Sequence, residues 1–331
     1  MQKILVLRFS SLGDLCLLGW SLSRLAQTFG ASERQVTLVT KRQFAPLLEM
    51  MTGVDEVITL DQPGLGGLWD LSRRLRGRSW DAIYDAHRVL RSRGLLMLMG
   101  RTPQGAIAKD TRQRLALLQG AAADQLLGRT MRQRLDEVFG DLLDDASPPA
   151  PPPLVHLRPS NDEPPRLGLA PGAQWDTKRW PAEHFAALIA DFRARRPDPI
   201  VIHLGPREEQ WFPGSPLAEA CRQWPDIEVV KDRSLPEVAS SLARCSAVVT
   251  NDSGLLHLAE AVGTPVLALF GPTVRHFGYF PVLDRSEVLE IDLECRPCSR
   301  NGKRPCHRGD LACLQELSPD RSQPFLQRMF P

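Results

Sequence analysis

A carboxylate and two hydroxyl groups stand at the first predicted strand-to-helix turn of the chain. Residues 8–14 (RFSSLGD) follow a short apolar strand and precede an apolar helix predicted over residues 15–25. Asp14 could act as a general base toward a substrate hydroxyl, and Gly13 would let a substrate approach the backbone. Ser10, Ser11 and Asp14 are equally the residue types that cap helix N-termini. The spacing alone leaves catalysis and capping both open.

A second chemistry-bearing stretch, residues 169–181 (LAPGAQWDTKRWP), joins a predicted buried strand to a helix. Its loop amides, the Thr177 hydroxyl and the Lys178 ammonium near a helix N-terminus could bind an anion. An ordinary strand-to-helix loop, with Trp180 packed beneath it, is the alternative. Both interpretations remain open on this stretch alone.

A third stretch, residues 248–257 (VVTNDSGLLH), is a strand that ends in a polar turn and opens another helix. The amides of Ser253 and Gly254 and the helix dipole would attract a phosphate. Asp252 stands at the carboxyl end of the strand, where doubly wound folds bind their ligands. His257, on an early turn of the helix, is either a packed residue or a functional one.

Four of the seven cysteines crowd into one C-terminal stretch, with spacings of two, seven and six residues. They are Cys295, Cys298, Cys306 and Cys313. Four thiols at such spacing could surround one tetrahedral ion. A structural zinc, reduced thiols without metal, and an iron–sulfur cluster or partial disulfide all remain open. An odd total of cysteines favours a reducing compartment.

The segments between these stretches alternate β-branched runs with helical periodicity, the pattern of parallel sheets covered by helices. Strands are predicted over residues 3–8, 35–40, 56–60, 81–84, 166–169, 200–204, 227–230, 247–250 and 266–270. Eight prolines within residues 146–165 interrupt this pattern, since neither helix nor central strand accommodates them. We therefore predict an α/β protein with a first domain over 1–150, a linker over 151–165 and a second domain over 166–331.

The composition and missing motifs exclude several classes of protein. The 331 residues carry 41 Lys and Arg against 39 Asp and Glu, a net charge of +2. A nucleic-acid-binding protein usually has a strongly positive electrostatic field, which this charge balance does not produce. No apolar run approaches the roughly 20 residues that span a bilayer, and Arg8 and Asp14 interrupt any secretory core, so we expect a cytoplasmic location. The sequence lacks a Walker motif, a G-x-G-x-x-G after the first strand, H-E-x-x-H and G-x-S-x-G.

Taken together, residues 10–14 (SSLGD), 171–181, 251–259 (NDSGLLHLA) and 270–273 (FGPT) strongly resemble the ADP-heptose:lipopolysaccharide heptosyltransferases of glycosyltransferase family 9. The resemblance is in the correct order and covers nearly the whole chain. It implies the GT-B fold, in which two Rossmann-like doubly wound domains face each other across a cleft. It further implies inverting transfer of heptose from ADP-heptose, or another nucleotide sugar, to the lipopolysaccharide core or lipid A.

The resemblance also assigns roles to residues. Asp14 matches the proposed base, which deprotonates the acceptor hydroxyl. The donor site is predicted to comprise Thr177, Lys178, Glu208, Asp252, Ser253, Gly254 and His257. The acceptor site is predicted to comprise Ser10, Ser11, Gly13, Arg88, Arg91 and Arg93. Catalysis needs no metal on this view, because Lys178 and helix-terminal amides can stabilise the departing diphosphate.

A basic segment lies in the domain that the resemblance assigns to the acceptor. Between residues 71 and 114 there are eleven Lys and Arg residues and three Asp. A solvated helical face is the ordinary explanation, but such a segment also suits phosphate-rich acceptors and the anionic inner face of the inner membrane. We expect peripheral, salt-sensitive membrane association. The alternative functions are a nucleotide-sugar epimerase or hydrolase on the same scaffold and a non-catalytic lipid-A or nucleotide-binding module.

Overall fold

Within the part of the chain that the structure describes, the strands form two wholly parallel sheets. The structure is a computed structural model that describes residues 1–30, 32–120, 128–143, 146, 149–159 and 163–331. The first sheet has the order β3-β2-β1-β4-β5 and the second has the order β11-β10-β9-β6-β7-β8. The strands of the first sheet are β1 (Gln2–Leu7), β2 (Arg34–Lys41), β3 (Glu56–Leu60), β4 (Ala82–Asp85) and β5 (Gly105–Ala106). Those of the second are β6 (Leu167–Ala170), β7 (Ile200–His203), β8 (Glu228–Val230), β9 (Ala247–Asn251), β10 (Val266–Leu269) and β11 (Glu287–Leu289).

Helices follow most of these strands, as in doubly wound folds. The first part of the chain contains α1 (Leu12–Thr28), α2 (Ala45–Leu48), α3 (Gly64–Arg76), α4 (Leu90–Met99), α5 (Thr111–Leu118) and α6 (Met131–Asp136). The second part contains α7 (Ala182–Arg195), α8 (Pro216–Gln223), α9 (Leu235–Ala243), α10 (Gly254–Ala261), α11 (Ala312–Gln315) and α12 (Gln323–Met329).

The chain divides into two compact units. The first unit comprises Met1–Lys109 and Met131–Val155, and the second comprises Asp110–Thr130 and His156–Pro331. The segment 110–130 thus groups with the second unit, although it precedes the proline-rich stretch in sequence. Its helix α5 is tied there by Arg114, whose guanidinium donates to the Phe277 carbonyl at 3.0 Å.

The proline-rich stretch, predicted as a linker, is attached to the first unit at its start. The Pro151 carbonyl accepts from the Ser23 hydroxyl at 3.1 Å, and the Pro153 carbonyl accepts from the Thr52 amide at 2.9 Å. Further along, Arg158 donates to the Gly263 carbonyl of the second unit at 2.8 Å. Residues 160–162 of the predicted linker lie outside the described residues.

The core of the first unit is built on β1 and α1. The last four residues of β1 are fully buried, as expected of a strand covered on both faces by helices. In α1, most residues from Leu15 to Leu25 are buried. Because the sheet and this helix are fixed by so much apolar contact, the turn between them presents its side chains from a rigid base.

The second unit confirms two local predictions. The stripe Phe185, Leu188, Ile189 and Phe192 on α7 is buried, and Pro181 immediately precedes the helix. Ser234 and Glu237 form the predicted capping box of α9, with the Ser234 amide donating to the Glu237 carboxylate at 2.9 Å.

All nine predicted strands occur, each within one residue at either end. The sequence did not indicate β5 and β11, which are two and three residues long.

Candidate active site

Asp14 lies in the first turn of α1, directly after the turn that follows β1. Its Oδ2 accepts hydrogen bonds from the Ser11 amide at 3.1 Å and from the Ser11 hydroxyl at 2.8 Å. Asp14 therefore closes the N-terminus of the helix through Ser11, and the predicted capping role is confirmed for these two residues. Ser10 is half-buried beside this turn, whereas Gly13 is buried within the helix.

The other oxygen of Asp14 faces a buried arginine. Arg8 lies 3.0 Å from Oδ1 through Nη2, while its Nη1 donates to the Ala86 carbonyl. Burial alone would raise the pKa of Asp14, but the Arg8 charge and the Ser11 hydrogen bonds outweigh it and lower the pKa to about 2. The carboxylate is therefore ionised at neutral pH and able to accept a proton.

Asp14, Arg8 and Ser11 form a polar cluster, which we call the Asp14 cluster. His87 lies beside it, although the sequence did not single this residue out. Its Nδ1 accepts from the Phe9 amide at 3.2 Å. Burial and the neighbouring Arg8 and Lys109 charges lower its pKa to about 4, against the opposing charge of Asp14. A neutral imidazole thus stands near Asp14. The available signal was its place two residues after β4, the neighbour of β1 in the sheet.

The loop after β4 is organised by Asp85, a buried carboxylate at the carboxyl end of that strand. Asp85 accepts from the amides of His87 at 3.1 Å and Arg88 at 2.7 Å, and from the Ser92 hydroxyl at 2.8 Å. Its hydrogen bonds fix the first turn of α4 against the strand. They also hold the backbone of Arg88 at a positive φ of 51°.

The three arginines predicted to bind the acceptor differ in their contacts. Arg91 is exposed and its guanidinium lies over the Phe9 ring at 5.6 Å. Arg88 is exposed and donates to the Ile107 carbonyl at 3.3 Å. Arg93 is exposed on α4, and among the described residues no side-chain contact joins it to the Asp14 cluster. The structure thus brings Arg91 to the cluster through Phe9 and leaves Arg93 in solvent.

In the second unit, the structure pairs two of the predicted donor residues. Lys178 Nζ lies 2.5 Å from Asp252 Oδ2, and the Thr273 hydroxyl donates to the same oxygen at 2.7 Å. Both charged side chains are nearly buried, so the ammonium is held in one place by a fixed carboxylate. Thr177 donates its hydroxyl to the Gly302 carbonyl in the cysteine-rich stretch.

Asn251 ties together the loops that carry these residues, a role that sequence reasoning did not assign to it. Its Nδ2 donates to the Pro171 carbonyl at 2.7 Å, and its Oδ1 accepts from the Trp180 amide at 3.0 Å. Asn251 is fully buried at the end of β9. The loop after β6, which carries Lys178, is therefore fixed against the turn that carries Asp252.

The helix α10 begins two residues after Asp252. Ser253 is the N-cap, and its hydroxyl accepts from the Leu255 amide at 3.3 Å. Gly254 opens the helix, whose first amides have no acceptor within the helix and suit an anion. His257 is 4% exposed and its ring centroid lies 6.1 Å from that of Tyr279. That burial favours the packed interpretation of His257.

Glu208 occupies a buried position in the second unit. Its carboxylate accepts from the Gly205 amide at 2.7 Å, and it packs so closely on Gly172 that a Cβ there would lie 2.6 Å from its Cδ. Burial raises its pKa, against the opposing Gly205 hydrogen bond and the charges of Arg179 and Arg207. Glu208 supports the loop before Thr177 and Lys178. Its contact with a donor nucleoside remains a prediction.

The four C-terminal cysteines are free thiols near one another. Burial, together with the neighbouring Cys298, raises the pKa of Cys313 to about 11. Burial and the charge of Cys295 likewise raise the pKa of Cys298. Among the residues that the structure describes, no three or more His, Cys, Asp or Glu side chains are arranged to hold a metal ion. The thiols as they stand do not form a ligand set.

Residues 68–307 match the profile of glycosyltransferase family 9 (heptosyltransferase). Lipopolysaccharide heptosyltransferase 1 of Pseudomonas aeruginosa is 28% identical over 99% of this chain and 98% of its own length. Lipooligosaccharide heptosyltransferase 2 of Haemophilus influenzae is 34% identical, but the match spans only 39% of this chain and 37% of that protein.

Solved structures of other proteins share the fold of this chain. ADP-heptose lipopolysaccharide heptosyltransferase II of E. coli superposes with a TM-score of 0.74 at 20% identity, covering 99% of this chain and 98% of its own. This agreement confirms the predicted α/β class with two Rossmann-like units, as in the GT-B fold. Since the profile match covers more than half of the chain, the protein belongs to glycosyltransferase family 9, the heptosyltransferases, and is a glycosyltransferase.

Proposed function

We propose that the protein transfers heptose from ADP-heptose to the inner core of lipopolysaccharide, with inversion at the anomeric carbon. Membership of the heptosyltransferase family supports the donor and acceptor classes. The observation that carries the proposal is the ionised Asp14 carboxylate in the first turn of α1, held by Arg8 and Ser11. A turnover assay with the two substrates tests it directly.

In the proposed reaction, Asp14 takes the proton of the acceptor hydroxyl. The acceptor oxygen forms a bond to the anomeric carbon while the bond from that carbon to the diphosphate oxygen breaks, and ADP leaves. A carboxylate with a pKa near 2 is a weak base, so the proton moves late, when bond formation has made the hydroxyl acidic. The acceptor hydroxyl must take the place of Ser11 or Arg8 at the Asp14 oxygens.

The second unit supplies the leaving-group chemistry. The Lys178 ammonium, fixed by Asp252, and the first amides of α10 are the groups that we propose bind the donor diphosphate. Positioned donors of this type contribute on the order of 3 kcal/mol each when charge develops on a leaving group. When the diphosphate binds, Lys178 exchanges part of its contact with Asp252 for contact with phosphate oxygens.

A membrane-facing surface is proposed on α3 and α4, two helices of the first unit that pack on each other. Their exposed apolar side chains are Leu65, Trp69, Leu90 and Met97. The same helices carry the exposed arginines Arg73, Arg76, Arg91 and Arg93, and the Arg76 guanidinium lies over the Trp69 ring at 5.5 Å. Such a mixture suits the anionic cytoplasmic face of the inner membrane, where each cation contributes roughly 1 kcal/mol.

Other basic residues of this segment are already paired within the protein. Arg74 contacts Asp61 at 3.2 Å and Arg78 contacts Glu56 at 2.6 Å. No helix within the described residues has the length and apolar character to cross a bilayer. The peripheral association that we propose rests on the smaller set of arginines above.

The cysteine-rich stretch carries a separate proposal, a structural zinc. Its support is the number and spacing of the thiols, whereas their present arrangement does not fit a metal, so no step of the reaction is assigned to one. Elemental analysis of protein purified without a metal-affinity tag decides it. About one equivalent of zinc would support the proposal, and a small fraction of an equivalent would reject it.

The substrate assignment is tested in two stages. Thermal shift with ADP, UDP and GDP should show the largest stabilisation with ADP, because ligands that bind only the native state raise its stability. Mass spectrometry should then detect one added heptose on a truncated core acceptor. Donor consumption without acceptor would indicate a hydrolase or epimerase instead, and binding without turnover would indicate a non-catalytic module.

A further inference from the structure

Arg296, within the cysteine-rich stretch, is used almost entirely for internal hydrogen bonds. Its side chain is 5% exposed. Nε donates to the Gly271 carbonyl at 2.5 Å, and Nη2 donates to the Thr273 carbonyl at 2.9 Å and to the Glu290 carboxylate at 2.5 Å. Nη1 donates to the Ile291 carbonyl. A buried guanidinium so fully satisfied fixes the backbone around it.

Arg296 fixes the backbone of the turn after β10. Through Thr273, this turn contacts the ion pair of Lys178 and Asp252. Thr273, whose carbonyl Arg296 binds, donates its hydroxyl to Asp252 at 2.7 Å. Asp252 in turn holds Lys178 at 2.5 Å. A continuous series of polar contacts thus joins the Arg296 guanidinium to the Lys178 ammonium.

The cysteine-rich stretch touches the donor loops at two more points. The Cys298 amide donates to the Pro272 carbonyl at 3.3 Å. The Gly302 carbonyl accepts from the Thr177 hydroxyl, and the Lys178 stem lies so near Gly302 that a Cβ there would be 2.8 Å from Lys178 Cγ. The stretch therefore braces the loop that carries Lys178 and the turn after β10, whose Thr273 holds Asp252.

We infer that Arg296 is a positioning residue for donor binding, acting through Thr273 and Asp252 on Lys178. The inference rests on the proposed function, because it takes Lys178 as a diphosphate contact. Without the guanidinium fork, the Gly271 and Thr273 carbonyls lose the donor that sets the turn. The Thr273 hydroxyl then no longer holds Asp252 at the angle that aims Lys178.

The test compares Arg296→Lys and Arg296→Gln with the wild type. Lysine keeps the charge but cannot bind the two carbonyls and the carboxylate together. We expect the Kd for ADP, measured by calorimetry, and the KM for the donor to rise about tenfold or more in both variants. The KM for the acceptor should stay unchanged, a division that a general loss of stability would not produce.

Arg196→Lys is the matched control. Arg196 also donates to backbone carbonyls, those of Phe330 and of Pro331 at 2.9 Å, and to the Asp198 carboxylate at 2.6 Å, but it secures the C-terminus. Loss of these Arg196 hydrogen bonds in Arg196→Lys should lower the Tm of the protein and leave its Kd for ADP unchanged. Glu290→Gln is the milder variant if Arg296 variants do not fold, with an expected two- to threefold rise in Kd, roughly half a kcal/mol.

The outcomes separate the two claims. Folded Arg296→Lys with a Kd for ADP within about twofold of the wild type, or a loss equalled by Arg196→Lys, overturns the inference. If Arg296 variants do not fold, an unchanged Kd in Glu290→Gln overturns it. Wild-type protein that binds no ADP contradicts the proposed function itself.

Discussion

At the scale of single residues, Asp14 joins two roles that the sequence presented as alternatives. Its Oδ2 closes α1 through Ser11, which the structure shows, while its Oδ1 faces Arg8 and is proposed to receive a proton. The contacts that cap the helix also hold the carboxylate ionised and aimed. One carboxylate serves both roles if the acceptor hydroxyl replaces the Arg8 contact at Oδ1 and leaves the Ser11 contacts at Oδ2 in place.

The ionisation of Asp14 predicts a pH-dependent contribution to stability. Its folded pKa of about 2 lies below the ordinary 3.8, so the contribution is complete above about pH 4 and is lost as the pH falls toward 2. The shift corresponds to about 2 kcal/mol at neutral pH, of which about 1 kcal/mol should be lost by pH 3. Urea unfolding at pH 7 and pH 3 measures this.

Asp14→Asn is the reference protein for that measurement, since it removes the charge at the same position. The difference in unfolding free energy between the wild type and Asp14→Asn should shrink by about 1 kcal/mol between pH 7 and pH 3. An equal difference at both pH values would contradict the low pKa.

At the scale of elements, the strands that position the site were predictable because each is a near-continuous apolar or β-branched run. The strand β5, Gly105–Ala106, was not predictable, since two small residues carry no such pattern. The motif residues at the ends of β1 and β9 were found because they follow those runs. His87 was missed because its relation to Asp14 depends on β4 lying next to β1 in the sheet.

The contact between the cysteine-rich stretch and the donor loops was beyond sequence reasoning for another reason. Thr177 and Gly302 are 125 positions apart, and no periodicity or motif links them. Likewise, Arg296 reads as a solvated arginine between two cysteines until its acceptors are known. Long-range polar contacts of this kind are specified by the tertiary structure.

The close approach at Gly302 predicts a paired glycine experiment. Gly302 and Gly309 both have a left-handed φ, 87° and 80°, so alanine at either costs about 1 kcal/mol of backbone strain. Only Gly302→Ala would place a Cβ against Lys178, since the space around a Cβ at Gly309 is open. Calorimetry should show weaker ADP binding in Gly302→Ala and unchanged binding in Gly309→Ala. Equal affinity in the two variants would contradict the bracing role of the stretch.

At the scale of the whole molecule, a net charge of +2 conceals a local basic and apolar surface on α3 and α4. Binding to such a surface combines apolar burial with salt-sensitive attraction to anionic lipid. The net charge alone predicts no nucleic-acid partner. It could not show which arginines are paired internally, because those pairs form only in the folded chain.

This surface predicts salt-dependent sedimentation with anionic liposomes that carry acceptor lipid. The wild type should bind at low salt, and Trp69→Ala combined with Leu90→Asn should bind several-fold less. Leu115→Asn is the control, because Leu115 is also exposed but lies on α5 of the second unit. Wild-type protein that remains in the supernatant at low salt would reject the membrane proposal.

The central claim is that Asp14 is the base of heptose transfer, and single-turnover transfer by Asp14→Asn tests it most directly. Mass spectrometry measures formation of the product, a truncated lipopolysaccharide core with one added heptose. Asparagine caps helices about as well as aspartate, so the fold and ADP binding should be retained. Lys178→Ala serves as the comparison, since it should weaken ADP binding as well as the rate. The account predicts a rate about 10² to 10⁴ lower than wild type for Asp14→Asn, and a rate above about a third of wild type in the folded variant would contradict it.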